Sequence, residues 1–228
     1  RMSKGNYAAC LGSGTYFESI DGSSRVDDRL DSLQKLKRGV LTVSQLAAFK
    51  NIRQAENDQS MAGIWKYGRG KGVKTRKIKD GTSKTVVISE LLTWDDKGRS
   101  QDSVDIRGVW TTSSMGASTY SHLTSPNSSG GTTAEELQRG QQYDTINGCD
   151  TNIPDTDPMH CVERRPSRSP SSAETFAAAR SKHNGGVVAG RADGSVGFYA
   201  DDTDILIWRA LATRSGGPTE TRTDGNEF

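Results

Sequence analysis

The chain has 228 residues, 32% of them hydrophobic and 25% charged, with 25 glycines and a mean hydropathy of −0.69. So polar a chain builds a modest core under long loops, while its charged and aromatic content excludes a wholly disordered polymer. A net charge of +2 is too small to imply a nucleic-acid partner, and the sequence lacks the run of about 18 apolar residues that spans a membrane.

Residues 6–15 read as a short strand and a Gly-rich turn. Val26, Leu30, Leu33, Leu36 and Val40, then Leu46, Phe49 and Ile52, recur at helical spacing and predict a helical insertion over about 26–60, with Thr42 or Ser44 capping its second helix. Strand signals follow at 63–67, at Thr85–Leu92 and at Ile106–Trp110, with a turn at Asp80–Ser83. The stretch 66–79 holds seven basic residues and no acid before Asp80, beside Trp65 and Tyr67, and reads first as a solvated arm.

Residues about 112–172 are dominated by Ser, Thr, Gly, Pro and Asn and read as a long loop region, with periodicity only at Ala134–Leu137. A short helix is predicted from Glu174 to Arg180. Two strand-like runs around Asp193-Gly194 predict a hairpin with a type I′ turn. Thr203 or Asp204 then caps a last helix through Leu211, ended by Gly216-Gly217-Pro218, and the tail over about 219–228 reads as disordered. The whole reads as one α+β domain: a mainly antiparallel sheet with a C-terminal hairpin, helices and long loops.

Of the three cysteines, Cys149 and Cys161 bracket a loop with two prolines. The spacing suits a disulfide in an exported protein, and two free thiols are the alternative; Cys10 is left odd. No signal peptide is visible and the chain opens on Arg1, so it reads as a fragment whose upstream part is missing.

His183, nine residues and then Asp193-Gly194 form a spacing that resembles the bacterial prepilin-type H-x(9)-DG family. The segments Ser181–Val187 (SKHNGGV), Ala192–Val196 (ADGSV) and Ile205–Gly217 resemble its conserved blocks, as do Ile78–Thr85 with Ser89-Glu90 upstream and the opening Asn6–Ala9. Departures are Lys84 in place of Asn, Gly190-Arg191 in place of an apolar pair, Gly197 at a position often charged, and the long insertion at 26–60. The resemblance implies a pilin- or pseudopilin-like head whose apolar N-terminal helix, which anchors and polymerises such subunits, is absent from this chain. It also implies an extracellular, periplasmic or cell-envelope location.

His183, Gly185, Gly186, Asp193 and Gly194 are therefore read as a structural motif. The alternative, a hydrolase triad of His183, Asp193 and Ser195, lacks a nucleophile elbow, because Ser195 starts the return strand of the hairpin. The imidazole is expected to bond nearby backbone or turn groups. Asp201, Asp202 and Asp204 are calcium candidates, pseudopilins being known to bind calcium in a C-terminal loop; Asp150, Asp155 and Asp157 form a second acidic group. Zinc through Cys149, Cys161, His160 and His183 has suitable ligand types but no supporting spacing. No catalytic residue and no cofactor is assigned.

Two functions from different classes fit. The first is an assembly protein that associates with itself or with other pilin-like subunits in a filament or secretion pseudopilus. The second is a surface module that binds polysaccharide or DNA through Trp65, Trp94, Trp110 and the basic 66–79 segment. An enzyme ranks last.

Overall fold

The computed structural model describes residues 4–16, 38–41, 73–94, 105–164 and 175–216. The helical insertion apart from 38–41, Trp65 and the strand at 63–67, residues 66–72 of the basic arm, and the tail all lie outside the described residues.

The fold is mixed α+β. Five strands form the main sheet in the order β3-β1-β2-β6-β7: β1 is Tyr7–Cys10, β2 Val86–Glu90, β3 Thr119–Tyr120, β6 Gly186–Arg191 and β7 Val196–Ala200. Every pairing is antiparallel except β1 with β3. A second sheet pairs β4, Asp144–Ile146, in parallel with β5, Cys161–Glu163. A 3-10 turn at Thr75–Lys77 and two helices, α1 at Ala134–Gln138 and α2 at Ile205–Ala210, complete the described elements.

One face of the sheet is closed by α2. Asp204 caps that helix, its carboxylate accepting from the backbone of Leu206 at 2.8 Å and Ile207 at 3.1 Å. The cap aims Trp208 into a core with Cys10, Tyr120, Val187, Ala189 and Tyr199. Burying an indole this fully stabilises the fold by about 3 kcal/mol. The Trp208 Nε1–H donates to the Thr124 carbonyl at 3.0 Å, so its one polar atom stays paired. Buried His122 stacks on the Trp208 ring with centroids 3.5 Å apart.

A second cluster of Leu11, Tyr16, Met115, Ile146, Ile153 and Met159 lies over the small sheet. Beside it runs a buried chain of charges. Arg107 bonds both carboxylate oxygens of Asp105, at 2.9 and 2.8 Å, and reaches Asp144 at 3.4 Å. Arg180 clamps Asp144 from the other side at 2.8 and 2.9 Å, and the Ala178 N–H donates to the same carboxylate at 2.9 Å. All four side chains are almost wholly buried, two of each sign, so the charges cancel locally.

The structure corrects several expectations. Residues 175–180 are extended, not helical, because Phe176 exchanges backbone bonds with Thr145 at 2.8 and 3.0 Å while Ala177, Ala178 and Ala179 are buried on every side. Tertiary burial overrides alanine's helix propensity there. Ile106–Trp110 is a turn with a single bridge, Val109 to Lys4, because Gly108 sits at φ +80°. The region 112–172 is not one long loop: β3, α1, β4 and β5 pin it, with α1 held by a capping box between Thr133 and Glu136. The last helix stops at Ala210, before the glycines.

The hairpin is present but its turn is not type I′. Gly194 N–H donates to Arg191 O at 2.9 Å and Arg191 N–H to Ser195 O at 2.8 Å, enclosing a three-residue loop. Only Gly194, at φ +86°, takes the left-handed region, so the loop is a type I turn closed by a glycine bulge. The Asp193 carboxylate accepts from Ser195 N–H at 2.9 Å and Oγ at 2.7 Å, and these bonds hold its pKa below the ordinary value.

Candidate functional site

The sequence motif splits into two separate local structures. Asp193-Gly194 closes the tip of the hairpin, as above. His183 stands at its other end and reaches across the sheet: Nε2 lies 3.1 Å from Glu90 Oε1 at the end of β2. The expected backbone or turn partner is thus replaced by a carboxylate. Glu90 Oε2 accepts from Val188 N–H at 2.8 Å, so this one side chain ties β2 to β6 and to the segment before it.

The residues around His183 are held for the same purpose. Ser181 Oγ donates to Gly186 O at 2.7 Å and accepts from His183 N–H at 3.0 Å. Gly185 takes φ +78°, and a Cβ on Gly186 would lie 2.2 Å from the Tyr199 carbonyl, which is why both positions are glycine. Ser195 of the alternative triad is not beside His183: it bonds Asp193 at the far end of the hairpin. We expect His183→Ala to cost at most about 1 kcal/mol, because the ring is half exposed, and Glu90→Ala to cost more, because it also strips the Val188 N–H of its partner. Paired thermal denaturation checks this; a larger loss for the histidine variant would contradict the geometry.

The sheet face away from α2 carries the other feature. The register aligns Ala9, Ile88, Gly190 and Val196 in one row across β1, β2, β6 and β7, and Val188 with Phe198 in the next. Val196 is 66% exposed and Phe198 56%, with Ile88 and Tyr7 also open to solvent. At the β1 end a shallow groove of about 220 Å³ is lined by Tyr7, Ala9, Ile88, Trp110 and Ser118. Trp110 lies against Gly5, 63% exposed, and its Nε1–H donates to the Tyr7 carbonyl at 3.1 Å. The outer edge of β7 pairs with no strand among the described residues. A sheet with a continuous apolar face and an open edge is equipped to be covered by another chain.

The remaining candidates are placed as follows. Cys149 and Cys161 are joined in a disulfide with Cα atoms 5.9 Å apart, which removes both thiolates from the zinc set. His160 Nδ1 lies 2.8 Å from the Ile153 carbonyl. Asp201 accepts from Asn127 Nδ2 at 2.7 Å and Asp204 caps α2, leaving Asp202 exposed beside them. Among the described residues no group of three or more His, Cys, Asp or Glu converges as a metal site. Trp94 is half buried against the second cluster rather than displayed. Cys10 is buried, and burial pushes its thiol up to about 12.

Sequence reasoning missed the row of outer apolar residues, the Asp105–Arg107–Asp144–Arg180 chain and the His122–Trp208 stack. Only the first left a signal, the alternation of Val196 and Phe198 along one strand. No helix among the described residues is long and apolar enough to cross a membrane.

No curated protein and no solved structure matches the chain. A family model described as a protein of unknown function, DUF1559, matches residues 8–206 and so takes in both sheets, the disulfide and the His183 motif. The chain belongs to the DUF1559 family.

Proposed function

We propose that this chain is an extracytoplasmic, non-enzymatic assembly subunit of pilin-like type, buried in a larger structure through the outer face of its sheet. The observation that carries the reading is the row Ala9, Ile88, Gly190 and Val196, half-buried at Ala9 and Gly190 and exposed at Ile88 and Val196, flanked by exposed Phe198, Tyr7 and Trp110. Apolar side chains exposed on β1, β2 and β7 and joined across β6 by half-buried Val188 mark an interaction surface, where scattered ones do not. A pilin-type apolar helix lying across these strands, or a neighbouring subunit docked on them, buries the row. The disulfide supports an oxidising compartment. The H-x(9)-DG resemblance adds the prepilin connection to the family membership.

The test is charge placed on the row. Phe198→Lys with Ile88→Lys, introduced in the full-length protein in its native cell, is expected to leave folding intact because both side chains are exposed, and to reduce recovery in envelope assemblies at least about tenfold. Native-extract sedimentation and electron microscopy read the outcome. A parent protein that is monomeric and unassociated with the envelope defeats the proposal, as does a double-lysine variant that assembles like the parent.

A further inference from the structure

We propose that the segment around the 3-10 turn, at the Val86 end of β2, is a binding site for an acidic polysaccharide. Lys74, Arg76, Lys77, Lys79 and Lys84 are all exposed there. Among the described residues no carboxylate forms an ion pair with any of them. The one acid in the stretch is already engaged: Asp80 Oδ2 accepts from Gly216 N–H at 2.8 Å and Thr213 Oγ at 3.4 Å. Those donors are neutral, so Asp80 still offsets one positive charge, and five cations against this one acid leave the strip an excess of four positive charges.

The backbone beneath these side chains is fixed. Lys77 N–H bonds Lys74 O at 2.8 Å, Ile78 N–H bonds Thr75 O at 3.0 Å, and Lys79 N–H bonds Arg214 O at 2.6 Å. Thr85 Oγ donates to Gly81 O at 3.0 Å, closing the turn before β2. A rigid mount carrying flexible ammonium groups costs little backbone entropy when a polymer binds. Four of the five cations are lysines, point charges that impose no bidentate geometry and suit sulfate or carboxylate groups spaced along a chain.

Two other polyanionic partners fit less well. Between Lys74 and Lys84 there is no aromatic side chain on which a nucleic-acid base could stack. Nor does the strip present an exposed large apolar side chain to enter a lipid surface, since Ile78 is half buried. Recognition by charge alone leaves the acidic polysaccharide, a choice that rests on the extracytoplasmic location proposed above. This site uses none of the residues of the apolar row, so the heparin test and the assembly test can fail separately.

The probe is heparin, with duplex DNA and anionic phospholipid vesicles at equal anionic charge, and neutral dextran at equal mass, as comparison arms. The parent protein is expected to bind heparin at about 50 mM salt and to weaken steeply as salt rises. Lys74→Glu, Lys77→Glu and Lys79→Glu together should reduce binding at least tenfold and flatten the salt dependence. Arg139→Glu, Arg164→Glu and Lys182→Glu, exposed residues elsewhere, make the same change in net charge and should bind within about twofold of the parent, which separates a local site from net charge. Circular dichroism confirms that both triple variants fold. The proposal is overturned if the parent does not bind heparin, if the two triple variants lose equally, or if DNA or vesicles bind more tightly than heparin.

Discussion

Replacing Asp144 by Ala is expected to destabilise the protein by about 3–5 kcal/mol, with a fall of about 10 °C in Tm. Asp144 holds two guanidinium groups at once, Arg180 through both oxygens and Arg107 at 3.4 Å, and also the Ala178 N–H. Burial alone pushes its carboxyl up, but Arg180 and then Arg107 outweigh burial and hold its pKa below the ordinary carboxylate value. Without it, Arg180 keeps only the Pro158 carbonyl at 3.0 Å, and both cations remain in a site from which water is excluded. Asp144→Asn preserves volume and should recover part of the packing but not the charge balance. Urea denaturation of both variants decides the matter; a loss below about 1 kcal/mol for the alanine variant would show that the charge chain is not what joins the second cluster to the extended 175–180 segment.

The same chain of charges shows where sequence reading stops. Asp105 and Arg107 are two apart, but Asp144 and Arg180 come from elements 37 and 73 residues beyond Arg107, and nothing in composition or period marks them as partners. In contrast, Thr85–Leu92, the Asp193-Gly194 hairpin and the Asp204 cap were legible, because each rests on local rules: β-branched runs, turn chemistry and capping. Local rules also failed where tertiary burial decided. Ala177–Ala179 are good helix formers, yet they are extended because Thr145 takes the backbone groups of Phe176 and the Asp144 carboxylate takes the N–H of Ala178. His183 and Glu90 were both visible as motif residues, but their meeting across 93 positions follows from the β2–β6 register, which no spacing discloses. The apolar row is a register effect too: Ile88 and Val196 become neighbours of Gly190 only once the strands are aligned.

The largest pH effect should come from His122. It is fully buried, stacked on Trp208, and bonded at both nitrogens: Nδ1 to the Trp208 carbonyl at 2.6 Å and Nε2 to the Tyr120 hydroxyl at 3.1 Å. A carbonyl only accepts, so Nδ1 carries the proton and Nε2 accepts from Tyr120; the neutral ring is fully satisfied, and an added proton would put a charge in the core and force the Tyr120 hydroxyl to turn its hydrogen away. Burial pushes its pKa down to about 3, with the Trp208 carbonyl opposing the shift only in part. Unfolded, the ring takes a proton near its ordinary value of 6.5, so between about 3 and 6.5 the unfolded state binds more protons than the native one. Stability therefore rises with pH through this window and falls on acidification, by about 1.4 kcal/mol per pH unit at most. Above pH 6.5 the ring is neutral in both states and contributes no slope. Asp144 adds its own loss as the pH falls below about 3.8, where the unfolded carboxyl takes up a proton that the native one, held low by Arg180 and Arg107, does not. His122→Gln should lower stability at neutral pH, since the amide cannot stack on Trp208 as the imidazole does, and should flatten the dependence between pH 4 and 6.5. Denaturation midpoints of parent and variant at half-unit steps across that range isolate the His122 contribution as the difference of two slopes. Equal slopes would mean that the native ring takes up its proton as readily as the unfolded one, and that the stack on Trp208 opens to admit it.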